Sequence, residues 1–135
     1  MTRTLRWILA VAALSLFVVA ALHAGLIVAG PFNDAAMYEA GFAAVLTIGL
    51  GLTFVGPKWA RWGGLIALVL ALAGASIGLY MAIRGIAPNT IPDMVYHLAL
   101  IALLLVGIAV ALRGPSQRPT HAEARGGITR RESPG

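Results

Sequence analysis

The sequence contains no cysteine. Disulfide exchange, thiolate catalysis and cysteine-ligated metal are excluded together. Charge is almost as scarce: Asp, Glu, Lys and Arg make up 11% of the 135 residues, where a soluble domain carries about a quarter. So little polar surface cannot cover a soluble core. Also missing are a glycine-rich nucleotide loop, a hydrolase elbow and a zincin helix, and no nucleophile is paired with a base. A membrane enzyme is therefore the least favoured class, and no cofactor is expected.

What the chain has instead is apolar, with 59% hydrophobic residues collected in four long runs at 7–29, 35–55, 63–83 and 91–112. At about 1.5 Å per residue each can cross a hydrocarbon core of about 30 Å. The expected fold is all-α: an integral membrane four-helix bundle over 1–112, followed by a basic tail over 113–135. A signal peptide is the rival reading of the first run, since Arg3 and Arg6 precede it. That run is too long, however, and Leu22-His23-Ala24 lacks the small residue expected three before a cut. Gly30-Pro31-Phe32-Asn33 reads as a tight turn, with Asn33 or Asp34 capping the second run; residues 56–62 and 84–89 read as the other connectors.

Lys and Arg set the orientation. Arg3, Arg6, Lys58, Arg61 and Arg113 flank one side, and Arg118, Arg125, Arg130 and Arg131 follow in the tail. The other side has Arg84 with Asp34, Glu39 and Asp93. Both termini are therefore expected in the cytoplasm, in a plasma (inner) membrane. Trp7, Trp59 and Trp62 mark the inner interface and Tyr38, Tyr80 and Tyr96 the outer one. A net charge of +5 would suggest nucleic acid for a soluble chain; here anionic lipid and topology account for it, and no nucleic-acid partner is expected. The tail, rich in Pro, Gly, Ser and Arg, cannot bury enough surface to offset its chain entropy and reads as disordered. It either touches anionic headgroups or a cytosolic partner, or it serves only to fix topology; His121 within it reads as incidental.

The two halves of the chain echo each other. Arg6-Trp7 and Arg61-Trp62 open two hairpins, His23 and Tyr80 each stand eight residues before a proline, and Tyr38-Glu39 matches Tyr96-His97. This pattern fits a duplicated hairpin. Two unrelated hairpins that share an orientation would also place Arg and Trp at one end and Tyr at the other, whatever their ancestry. Gly74-x-x-x-Gly78 in the third run, and Gly41 with Gly49 in the second, leave thin stripes where helices can approach closely, within the bundle or between copies.

The chemistry concentrates at the outer ends. Thr90-Ile-Pro-Asp-Met-Val-Tyr-His97 opens the fourth run, with Thr90 as N-cap, Pro92 in the first turn and Asp93 three residues beyond the cap. Asp93 and His97, at i and i+4, share a helix face. His23 is expected about 9 Å below the outer end of the first helix, Glu39 about a turn into the second, and Tyr80 and Arg84 in the last turn of the third. His23, Glu39, Tyr80, Arg84, Asp93 and His97 thus form one shallow polar layer, with Glu39–Arg84 and Asp93–His97 as expected pairs and His23 reaching Glu39 or Tyr80. Such a layer could hold a divalent cation, relay protons, or seat an anionic headgroup or a quinone-like ring. The plainer alternative is that Glu39, Arg84 and Asp93 are interfacial and wet, while His23 is a satisfied core residue.

Glu39-Ala-Gly-Phe-Ala-Ala-Val-Leu-Thr-Ile-Gly-Leu-Gly-Leu, followed by Lys58-Trp-Ala-Arg61 and a further apolar run, resembles the middle of the DoxX-like superfamily of small four-span membrane proteins. The resemblance implies a functional role for Glu39 and an accessory role beside redox or maturation enzymes. The expectation is a small accessory or interaction protein with an outward-facing polar pocket, partnered by the bilayer and by a membrane protein or further copies of itself. The alternative is a small oligomeric transporter or proton-coupled carrier using the same residues.

Overall fold

The computed structural model describes residues 2–26, 33–86 and 90–113. It is all-helical: α1 Thr2–His23, α2 Asn33–Val55, α3 Pro57–Ile83 and α4 Ile91–Leu112. The expected turn at 30–32, the side chain of Asn33, the connector at 87–89 and the tail beyond 113 lie outside the described residues. All four helices are long and apolar enough to cross a membrane.

Local chemistry explains where the helices start and stop. Gly25 adopts φ 74°, its N–H donates to the Leu22 carbonyl at 3.1 Å, and the Leu26 N–H donates to the Ala21 carbonyl at 3.0 Å. This is a Schellman cap, which needs a residue that tolerates the left-handed region. It stops α1 at His23, six residues short of the end expected from hydropathy. Gly85, at φ 70°, ends α3 in the same way, with Gly85 N–H to Ala82 O at 3.0 Å and Ile86 N–H to Met81 O at 2.9 Å. Pro57 starts α3 immediately after Gly56, because its fixed φ suits the first helical turn and its missing N–H costs nothing there. Most of the expected connector at 56–62 is therefore helix. In α4 the Thr90 hydroxyl accepts from the Asp93 N–H at 3.3 Å, the cap expected from the sequence.

The helices run alternately up and down, each packing most closely on its neighbour in sequence; α4 returns to α1 in a lighter contact, and α1 and α3 lie across the diagonal. Leu5, Leu9, Leu46, Leu68 and Leu104 are wholly buried, surrounded by Ala12, Ala43, Ala71 and Ala111. Alanine and glycine let the backbones come close. The Ala67 side chain fills the space beside Gly49, and the Phe42 ring lies against Gly74. Gly41 does not share this role: a Cβ there would meet nothing within 4 Å, so the expected stripe of Gly41 and Gly49 is half open. Gly74 and Gly78 are both spent inside the bundle, against α2 and α4. Large apolar side chains such as Leu14, Ile48, Ile66 and Leu98 face outward, far more than a soluble monomer exposes.

Candidate functional site

At one end of the bundle α1 finishes and α2 and α4 begin, which brings His23, Glu39, Asp93 and His97 together. His23 is the last residue of α1 rather than a residue two turns from its end. Its Nδ1 lies 2.8 Å from Glu39 Oε2, and its Nε2 lies 3.9 Å from Asp93 Oδ1. His97 Nδ1 donates to its own helix, to the Asp93 carbonyl oxygen at 2.9 Å, and stands 3.6 Å from Asp93 Oδ2. Its Nε2 faces the backbone of α3 at Gly78, where an added Cβ would come within 2.5 Å of it. Glu39 and His97 are 9% and 8% exposed, so these polar groups are largely withdrawn from solvent.

The pairs expected from sequence are divided by the fold. His23 with Glu39 and Asp93 with His97 are in place. No ion pair joins Glu39 to Arg84 among the described residues. Tyr80 and Arg84 are exposed, and the Arg84 guanidinium carbon sits 6.0 Å from the centre of the Tyr80 ring. They belong to the outer surface of α3, and α3 sends no titratable side chain into the cluster. The reason is the Schellman cap: it places Ile83, not Tyr80, at the helix-terminal position that His23 fills in α1.

Two polar contacts were not anticipated from the sequence. The Ser15 hydroxyl approaches the Tyr96 hydroxyl at 3.4 Å, just inside the cluster, and the Tyr96 ring meets the His97 ring edge-on with centroids 5.6 Å apart. At the opposite end, Arg6 Nε donates to Thr53 Oγ1 at 3.0 Å and an Arg6 Nη donates to the Thr53 carbonyl at 2.7 Å, while its guanidinium lies 4.0 Å from the centre of the Phe54 ring. Arg6 thereby satisfies a carbonyl in the last turn of α2, where a cation also suits the helix dipole. The isolated Thr53 near the end of an apolar run was the available signal.

The chemistry open to the cluster follows from counting protons. A neutral imidazole has one N–H and one lone pair. His23 faces a carboxylate on each side, so only its imidazolium form presents N–H to both. His97 carries a proton on Nδ1 in order to donate to the Asp93 carbonyl, and its Nε2 has no hydrogen-bond partner among the described residues. Asp93 has no donor within hydrogen-bonding distance of its carboxylate oxygens there, only the two imidazoles. No group of three or more His, Asp or Glu side chains among the described residues is arranged to hold a metal ion, so the divalent-cation option finds no ligand set there. No protein-family model, curated protein or solved structure matches the chain.

Proposed function

We propose that the chain is a small multi-pass membrane protein of the accessory or interaction type, lying in the plasma (inner) membrane with both termini in the cytoplasm. It presents the His23–Glu39–Asp93–His97 cluster toward the outside. Tyr80 and Arg84 belong to the surface beside the cluster rather than to a shared pocket. The observation that carries the reading is where the polar groups stop. Below the cluster lies the Ser15–Tyr96 contact, and then the packed leucines of the core, including Leu9, Leu46, Leu68 and Leu104. A carrier needs polar groups or water across its whole thickness, whereas an outward-facing partner or ligand needs them at one end only. The redox or maturation system implied by the DoxX-like resemblance is the first class of partner to test, with Glu39 as the position that ties the cluster to that resemblance.

The competing carrier reading draws on the chain of imidazoles and carboxylates itself. The two separate in liposomes. Purified protein is expected to give no ion flux that depends on His23 or Glu39; flux abolished by Glu39→Gln would establish a carrier instead. In cells, capture of native complexes is expected to yield a reproducible membrane partner that is lost with Glu39→Gln.

A further inference from the structure

Three pairs of helices adjacent in sequence pack tightly, and the α1/α4 seam is the lighter contact that closes the bundle. Two polar links cross that seam among the described residues: His23 to Asp93 and Ser15 to Tyr96. The second, at 3.4 Å between hydroxyl oxygens, is well beyond the usual length of about 2.7–2.8 Å. The first is the ion-pair contact of the two, 3.9 Å long and not a hydrogen bond, and the same His23 ring is hydrogen-bonded to α2 through Glu39.

We propose that His23 is a proton-binding site that latches this seam. With the proton bound, the imidazolium faces Glu39 and Asp93 at once and holds α1, α2 and α4 together at the histidine end. When the proton leaves to the aqueous phase at that end, one ring nitrogen becomes a lone pair. The hydrogen bond to Glu39, 2.8 Å long, keeps the remaining N–H, and the lone pair falls to Asp93 at 3.9 Å. A lone pair facing a carboxylate in a low-dielectric setting is repulsive, so the α1/α4 seam opens while the α1/α2 contact holds.

Among the described residues, Glu39 from α2 and Asp93 from α4 face His23, with His97 beyond Asp93 and Tyr96 on the flank of His97. From α3 none faces it among the described residues, since Tyr80 and Arg84 are exposed. His97 is not the latch, because its Nδ1 bonds within its own helix and its Nε2 packs against Gly78, with no acceptor among the described residues. The latch deepens the outward-facing reading and takes from it only the side from which protons arrive.

The absence of cysteine makes the test direct. Spin labels on Leu26→Cys, just beyond the cap of α1, and Ile91→Cys, the first residue of α4, both exposed, report the seam in nanodiscs, where one buffer bathes both faces and orientation and partners play no part. Raising the pH through the histidine range, from about 5 to about 9, is expected to lengthen the label distance. His23→Gln is expected to give the long distance at every pH. A distance in the labelled parent that ignores pH overturns the proposal, and so does pH dependence that survives His23→Gln. Should His23→Gln fail to insert, ring nitrogen shifts of the parent decide: doubly protonated His23 at low pH supports the latch, and a singly protonated ring throughout refutes it.

Discussion

A missing methyl group decides where His97 sits. Gly78 leaves room for the imidazole against α3, and a Cβ there would come within 2.5 Å of Nε2. Gly78→Ala must turn the ring away from the Asp93 carbonyl that its Nδ1 bonds. Overpacking of this kind costs about 1–3 kcal/mol, more than the gain of up to about 1 kcal/mol that alanine offers a helix interior. Gly41→Ala, with open space around it, should keep that gain. Thermal unfolding in detergent is expected to show Gly78→Ala less stable and Gly41→Ala at least as stable as the parent; equal effects would mean that the close approach at Gly78 does not matter. At the other end, Arg6→Ala gives up two hydrogen bonds from a charged donor to Thr53, each worth about 1.5–3 kcal/mol when neither partner is left to water. Arg6 is partly wetted, so the measured loss should fall near the lower figure. Arg6→Lys should recover only part of it, because an ammonium cannot bond the hydroxyl and the carbonyl through one planar fork.

At the scale of the element, the glycine caps matter most. Gly25→Ala and Gly85→Ala each force a side chain into the left-handed region, at about 1–2 kcal/mol, and the same unfolding measurement checks both. These caps also mark the limit of what hydropathy could reveal. The apolar run to Ala29 looked continuous, yet helix continuity is decided by backbone conformation, and Gly25 leaves it. The start of α3 was misplaced for a related reason: Lys58, Trp59, Arg61 and Trp62 are polar or interfacial in character but entirely helix-compatible. Where the signal was local and chemical, at Thr90, Pro92 and Asp93, the reading matched the observed cap. The i, i+4 spacing of Asp93 and His97 was equally legible, since it requires nothing beyond one helix. Glu39 and His97 are each the seventh residue of their helix, which explains why both reach the same layer. Pairing between helices was legible only in part. Counting back from proline made Tyr80 the counterpart of His23, whereas counting from the glycine caps gives Ile83. Arg84 was assigned to Glu39 on charge alone, and α3 carries it to the surface instead.

At the scale of the whole molecule, the outward-facing leucines, isoleucines and valines match a hydrocarbon surround, and the two ends differ in charge. Arg3, Arg6, Lys58 and Arg61 gather at the end where α1 and α3 begin, and Asp34, Glu39 and Asp93 at the other. Single cysteines at Lys58 and Ile86, both exposed, should therefore react with an impermeant reagent from opposite faces. In intact cells Ile86→Cys is expected to label and Lys58→Cys only after permeabilisation; the reverse pattern would invert the orientation. The Arg6–Thr53 clasp carries a mechanical implication. With the first two helices riveted at both tips, by Arg6 at one and His23 at the other, that hairpin moves as a single stiff leaf. Of the seams around the bundle, the one between the leaf and the fourth helix is the lightest contact, and a cleft that opens there would face sideways as well as toward the histidine end.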